Sequence, residues 1–397
     1  MQIATRKLGL CALIGTLVST AAAAAPNYHV TVLPTFGGTR NQGNSINDAG
    51  VVAGVSNSAG SQIRHATAWY ADRGAVDLGT LGGYNSSVAW PVKNNQDRIV
   101  GISQTTTPEP NGEMWSCAPF FAPSVNPTAS GYTCLGFVYS DGAMHALPTL
   151  GGNNGYAAGA NNRGEIVGWA ETPVHDLTCE GALGPSHQTL QFLPVVWHPG
   201  EGRGAARALP LLPGDSSGSA VAINDNGQVV GISGACDQAV GRYTAAHVVL
   251  WENGSVTDIG KGTLTAPFWN TAVAINQRGD VVGFAGDPSD PTGNLTHAFI
   301  WTRAGGLQFL NNAPDDNSTA TGINDAGQVS GYFADASGAL RGFMWDGTFH
   351  DLNDLRAPGD TTFIALADDI NNSGVITGRS GTIAGVRYAI TLTPTAP

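Results

Sequence analysis

Ionisable and aromatic side chains crowd into a few stretches of this sequence. Tyr132, Glu171, His175, His187 and Arg242 are types that exchange protons or steady a developing charge. Brought together, they could cleave a glycan by acid/base chemistry. Tyr84, Trp90, Trp115, Tyr243 and Trp269 offer flat apolar faces with a polar handle, which suits sugar or peptide recognition. No Gly-x-Ser-x-Gly elbow, His-Glu-x-x-His pair, phosphate loop or dinucleotide fingerprint accompanies them. The set therefore reads as ligand-binding candidates, and no catalytic residue is assigned. For any single aromatic, the simpler role is to pack a loop onto the fold.

Four cysteines lie in the same stretches: Cys117, Cys134, Cys179 and Cys236. An even number in an exported chain reads as two disulfides, and three pairings are possible. Cys117–Cys134 and Cys179–Cys236 are the expected pair, the second stapling neighbouring loops. Zinc would need ligands at CxxC-like spacing, which are absent. No metal and no cofactor is expected.

Export is read from the first residues. Arg6 and Lys7 precede an apolar run from Leu8 to Val18, and small residues follow to Ala24 and Ala25. This is the pattern of a secretory signal over residues 1–24, cleaved after Ala24 and carrying Cys11 away. A secreted or periplasmic location follows, with no later segment apolar enough to span a bilayer. Loss of Arg6 and Lys7 takes the formal charge from −12 to −14. So acidic a chain, with almost no Lys, is unsuited to nucleic acid or an anionic membrane. A carbohydrate or an extracellular protein remains a fitting partner, and a monomer is expected.

What must position these residues is a repeat. Ile323-Asn324-Asp325-Ala326-Gly327-Gln328-Val329-Ser330-Gly331 recurs, with variation, near Asn47, Asn94, Asn161, Asn224, Asn276 and Asn371. A strand enters at the Ile, Asn and Asp close a tight turn, the Gly takes positive φ, and a second strand leaves. In the copy at Lys93–Gly101, Asp97 stands where the turn glycine should be, a position Asp tolerates. The turn lacks the alternating oxygen ligands and closing carboxylate of a calcium loop, and reads as turn chemistry.

Each turn opens a larger unit. A third strand follows, as in His65–Trp69, His247–Trp251 and His297–Trp301, and then a fourth ending in Leu-Gly-Gly or its like. The recurrent His and Trp are expected to serve packing and hydrogen bonding. Four short strands per unit, seven times over, predict an all-β, seven-bladed β-propeller filling residues 25–397 as a single domain. The last unit lacks a fourth strand, whereas Leu33-Pro34-Thr35-Phe36-Gly37-Gly38 matches Leu147-Pro148-Thr149-Leu150-Gly151-Gly152 with no unit before it. The N-terminal strand is therefore expected to complete the last blade.

These turns, the His-Ala-Phe-x-Trp strand at His297–Trp301 and the Leu-Gly-Gly endings resemble the bacterial extracellular HAF-repeat proteins over nearly the whole mature chain. The resemblance implies export and a repeat fold, and carries no reaction or ligand. Insertions at about 103–133, 170–190, 233–245 and 285–295, between second and third strands, break the symmetry on one face. Function in repeat folds sits where symmetry breaks. The expectation is a propeller binding a carbohydrate or protein on that face. The alternatives are a polysaccharide lyase or hydrolase with its site there, and a structural or adhesive envelope protein.

Overall fold

The computed structural model describes residues 26–60, 63–113, 131–179, 188–199, 205–236, 246–260, 270–287, 290, 295–310 and 317–395. The signal-like segment lies outside them. Among the described residues the named elements are strands apart from a 3-10 turn at Leu177–Cys179, and no described helix is long and apolar enough to cross a membrane.

In chain order the strands are β1 Tyr28–Val32, β2 Gly37–Ile46, β3 Val52–Ser58, β4 Arg64–Tyr70 and β5 Gly74–Asp77. Then come β6 Gly82–Ser87, β7 Ile99–Pro108, β8 Tyr132–Ser140 and β9 Ala143–Ala146, followed by β10 Gly155–Ala160, β11 Ile166–His175, β12 Leu190–Trp197 and β13 Ala206–Ala208. Next are β14 Ser217–Ile223, β15 Val229–Gly234, β16 His247–Glu252 and β17 Ser255–Asp258, then β18 Asn270–Ile275, β19 Val281–Gly286, β20 Thr296–Thr302 and β21 Gly306–Phe309. The last are β22 Ser318–Ile323, β23 Val329–Ala334, β24 Leu340–Trp345, β25 Phe349–Asp351, β26 Ile364–Ile370, β27 Ile376–Ile383 and β28 Val386–Pro394. From β6 to β25 every four consecutive strands make one antiparallel sheet, giving five four-stranded sheets. A sixth, eight-stranded sheet joins β26-β27-β28 to β2-β3-β4-β5, with β1 paired to β28. Its two halves touch through one parallel pair, Arg40 with Arg387, whereas β1 runs along β28 from Tyr28↔Pro394 to Val32↔Ile390.

The repeated turn explains its own sequence. Gly50, Gly164, Gly227, Gly279, Gly327 and Gly374 have positive φ, and Asp97 in the glycine-less copy has φ 57°. The glycine four residues later answers a different need. The first strand of each unit except that of β6 bulges by one residue near the turn, between Ala220 and Ala222 or Ala272 and Ala274 for example. That bulge presses a carbonyl against the second strand. A Cβ on Gly54 would lie 1.9 Å from the Gln42 oxygen, and one on Gly168 1.8 Å from that of Tyr156.

The core lies between facing sheets. Leu78 and Ala68 of one sheet, Val100 and Phe137 of the next and Ala157 and Val195 of a third are buried in one continuous cluster. The recurrent Trp and His are structural, as expected. Trp69, Trp197 and Trp251 donate their indole N–H to the carbonyls of Pro34, Pro148 and Pro210, on the segment that enters each sheet. His65, His247 and His297 bond to Asp77, Asp258 and Asp287.

The insertions are shorter than the sequence suggested. β7 and β11 run on as ladder, pairing Pro108 with Tyr132 and His175 with Leu190. Residues expected in loops there are strand residues, because each inserted segment extends the hairpin before leaving it.

Candidate functional site

Four connections between second and third strands, β7–β8, β11–β12, β15–β16 and β19–β20, share one face of the molecule with the connections that lead from one sheet to the next. Cys179 and Cys236 are disulfide-bonded there, S–S 2.06 Å, tying the second of these sequence insertions to the third. Cys134 is also disulfide-bonded, and its expected partner Cys117 lies outside the described residues. Trp115, His187, Arg242, Tyr243 and Trp269 lie outside them as well.

Five candidates are described. Tyr84 is exposed and meets Tyr132 edge-on, with ring centroids 6.2 Å apart at 64°. Trp90 is half-buried against a cluster of Tyr156, Trp169, Phe192 and the three described disulfide cysteines, so it braces the loops from below. His175 is exposed at the end of β11.

Glu171 is inside the protein, 0% exposed. Its Oε2 accepts the backbone N–H groups of Asn153 and Asn154 at 3.0 and 2.7 Å, and Oε1 accepts the Gln188 amide at 2.9 Å. Two further carboxylates, which no motif in the sequence announces, sit beside it. Glu113, 1% exposed, accepts the N–H groups of Thr189 and Leu190 at 2.8 and 2.6 Å. Glu109, 9% exposed, accepts those of Asn111 and Glu113 at 2.8 and 2.7 Å. Asn154 reaches Glu171 at 3.1 Å and Glu113 at 3.4 Å. Burial, and then the Glu113 charge, push the Glu171 carboxyl up to about 7, while burial raises Glu109. Backbone amides that lack a ladder partner are satisfied here by carboxylates, at the roots of two insertions. This is an anchor under the face. Among the described residues no three His, Cys, Asp or Glu side chains are grouped so as to hold a metal ion.

Among its exposed residues this face carries several large apolar ones, spread over five sheets. Tyr84, Val174, Leu177, Leu295, Leu340 and Ile383 are exposed, Leu177 to 71%, and all six sit at this end of the strands. Of the exposed large hydrophobic residues among the described ones, Val32 alone is elsewhere, within β1.

The opposite face is made by the repeated turns, and sequence reasoning missed what they build. The amide of Asp48 donates to Asn95 Oδ1 at 3.0 Å, that of Asn95 to Asn162 Oδ1 at 2.7 Å, and that of Asn162 to Asp225 Oδ1 at 2.8 Å. The path continues from Asp225 to Gln277 Oε1, from Gln277 to Asp325 Oδ1 and from Asp325 to Asn372 Oδ1. It returns from Asn372 to Asp48 Oδ1 at 2.9 Å. A second tier of Asn amides donates to backbone oxygens: Asn47 to Asn94, Asn161 to Asn224, then Asn276, Asn324, Asn371 and back to Asn47. One link is absent from it, since the Asn94 amide turns to the oxygen of Arg98 instead.

The side chains of the first tier line a cavity of about 120 Å³, with Lys93 below them. Lys93 Nζ bonds Asp369 Oδ1 at 2.5 Å, and the same carboxylate accepts the amides of Ile46 and Ile370 at 2.9 and 2.8 Å. Burial raises the Asp369 pKa, and Lys93 and the two amides oppose it. An ammonium and two N–H donors converging on one carboxylate are the surroundings of an ionised group. The signal for this tier lies in the sequence as an Asp, Asn or (once, at Gln277) Gln after each motif Asn, but a local reading of the turn hides its partner.

No family model and no curated protein matches the chain. Solved structures do, and its structural neighbours are β-propellers. Pyrococcus horikoshii acylaminoacyl peptidase superposes with a TM-score of 0.51 at 10% identity, over 90% of this chain and 52% of that one. A mutant puromycin hydrolase complexed with PGG gives 0.50 at 14% identity, over 91% and 52%. The β-propeller domain of the Trilobed protease from Pyrococcus furiosus gives 0.47 at 12% identity, over 80% and 82%. The chain thus spans about half the length of the first two. At such identities the likeness concerns the fold alone.

Proposed function

We propose that the chain is an exported, closed seven-bladed β-propeller that binds another exported protein on its inserted face. Closure is supported by the five-residue register of β1 along β28 and by the seven-membered circuit of turn amides that returns to Asp48. Export is supported by the Cys179–Cys236 disulfide, which suits an oxidising compartment, together with the signal-like first residues.

The observation that carries the binding role is that six of the seven exposed large hydrophobic side chains among the described residues sit at this one end of the strands, distributed over five sheets. Exposed apolar surface in a folded chain costs solubility, and its bias to one face supports an interaction surface there. Val174, Leu177, Leu295, Leu340 and Ile383 are aliphatic, which favours a protein partner over a sugar. The Tyr84–Tyr132 pair favours a carbohydrate as the second reading, since its rings could stack on a pyranose. Glu171, the carboxylate that a hydrolase or lyase on this face would have used, is engaged in holding the loops.

The test is a screen of exported proteins and glycans against the purified mature chain, read by thermal shift. A protein hit should weaken at least tenfold when Val174 and Leu177 are both changed to Ser, with an unaltered melting temperature for the free protein. A glycan hit should weaken similarly in Tyr84→Ala. Binding that survives all three substitutions places the site elsewhere.

A further inference from the structure

The first-tier circuit is regular, but the seam between the β6–β9 and β10–β13 sheets is not. At two other seams, those of the β10–β13 sheet with the β14–β17 sheet and of the β18–β21 sheet with the β22–β25 sheet, an arginine from one turn lies over the glycine of the next sheet's turn. Arg163 Nη2 would be 2.6 Å from a Cβ on Gly227 and Arg278 Nη2 2.5 Å from one on Gly327. Both arginines are neutralised within their own turn, by Glu165 at 2.6 Å and Asp280 at 2.7 Å. In the β6–β7 turn the residue at the position of Glu165 and Asp280 is Arg98. The guanidinium replaces the carboxylate, lies over Gly164, and makes no ion pair or side-chain hydrogen bond among the described residues. Neighbouring Asp97 does not supply one, because Tyr70 Oη and Arg73 engage its two oxygens at 2.8 and 3.2 Å.

Arg98 borders a cavity of about 320 Å³ at that seam, on the side away from the insertions. His145 and His198 share its wall, and Val138, Leu147 and Trp197 supply an apolar side. His145 has no hydrogen bond or ion pair among the described residues. His198 faces Glu165 at 3.5 Å, but that carboxylate is already bonded to Asn161 and Arg163. None of the described lining residues is acidic, in a chain with 30 Asp and Glu against 18 Lys and Arg. A partly buried guanidinium without a counter-ion, two imidazoles and an apolar wall complement one chemical class.

We propose that this seam cavity is a second binding site, for a small organic carboxylate whose body is apolar. Arg98 takes the carboxylate in a two-pronged hydrogen bond, His145 donates to its second oxygen, and the hydrocarbon part lies against Val138, Leu147 and Trp197. The site is independent of the inserted face and of any partner bound there.

Benzoate is the probe, titrated into the mature protein by calorimetry and by chemical-shift mapping, with benzamide and benzylamine as controls. Saturable one-to-one binding of benzoate is expected, at least tenfold tighter than either control, with shifts at Leu147 and Ile166. Arg98→Gln should weaken benzoate at least tenfold, and His145→Gln by a smaller factor, each with unchanged melting temperature. The proposal is overturned if benzamide binds as well as benzoate, if Arg98→Gln binds normally, or if benzoate does not saturate. Should Arg98→Gln disturb folding, His145→Gln together with the benzamide comparison decides.

Discussion

Lys93, on the connection from β6 to β7, and Asp369 of β26 are joined at 2.5 Å across the β2–β5 half of the eight-stranded sheet, whose Ile46 amide shares the same carboxylate. One buried side chain thereby ties the β6–β9 sheet to both halves of the eight-stranded sheet around the cavity. Asp369→Ala strands the Lys93 ammonium and leaves two amides unmatched, which should cost about 3–5 kcal/mol. Adding Lys93→Met should cost nothing further, because it removes the stranded charge. Urea unfolding of the two variants tests this, and additive losses would refute it.

Glu171 gives the fold a pH dependence with a definite sign. The folded chain holds that proton up to about pH 7, whereas an unfolded glutamate releases it near about 4.3. A raised carboxyl pKa stabilises the fold fully below about pH 4.3, and this contribution fades as pH climbs from there to about 7, by up to about 4 kcal/mol. Glu171→Gln should remove most of that slope. The Gln188 Oε1, buried without a partner, can accept from the new amide once Gln188 turns over. Denaturant titrations at pH 5 and pH 8 should show the variant gaining on the parent protein, and parallel behaviour would show that Glu171 ionises normally.

Two glycines of one turn motif should respond in opposite degrees. Gly50 has φ 80° and open space around it, so Gly50→Ala should cost about 1–2 kcal/mol for a left-handed residue. Gly54→Ala would drive a methyl to within 1.9 Å of the Gln42 carbonyl, and should prevent folding or cost several times as much. Melting temperatures of both variants give the comparison. Equal losses would mean that the bulge yields.

Asp48 closes the turn circuit by accepting the Asn372 amide at 2.9 Å and its side-chain N–H at 3.0 Å. Asp48→Ala should lower stability by about 1–3 kcal/mol. Hydrogen exchange is the sharper readout. The Asn372 amide should lose protection in the variant while that of Asp225, three links away on the other side, keeps it. Uniform loss around the circuit would argue for global loosening instead.

Local geometry was legible in the residues themselves. Asp97 could be placed in the left-handed region from its position alone, and the twin Leu-Pro-Thr segments announced equivalent places, where Pro34 and Pro148 indeed accept from Trp69 and Trp197. The links between turns were not legible, because Asp48 finds Asn95 and Asn372 only once separate sheets are side by side. Glu109 and Glu113 carry no periodic or motif signal. Glu171 looked like a loop residue because nothing in the sequence shows that β11 runs on to His175. Arg98 was visible as a departure at a position held elsewhere by Glu165 or Asp280, but its meaning rests on Gly164 lying beneath it.

Asn27 and Thr395, close to the two ends of the described residues, meet beside β1 and β28, where the Thr395 amide donates to the Asn27 oxygen at 2.8 Å. Joining them through a short linker and opening the exposed hairpin at Ser337–Gly338 would leave every other strand with its neighbours. Such a circular permutant should melt within a few degrees of the parent protein. Where synthesis starts would then be an accident of genetic history, and translation order would govern only how long β28 waits for its partner.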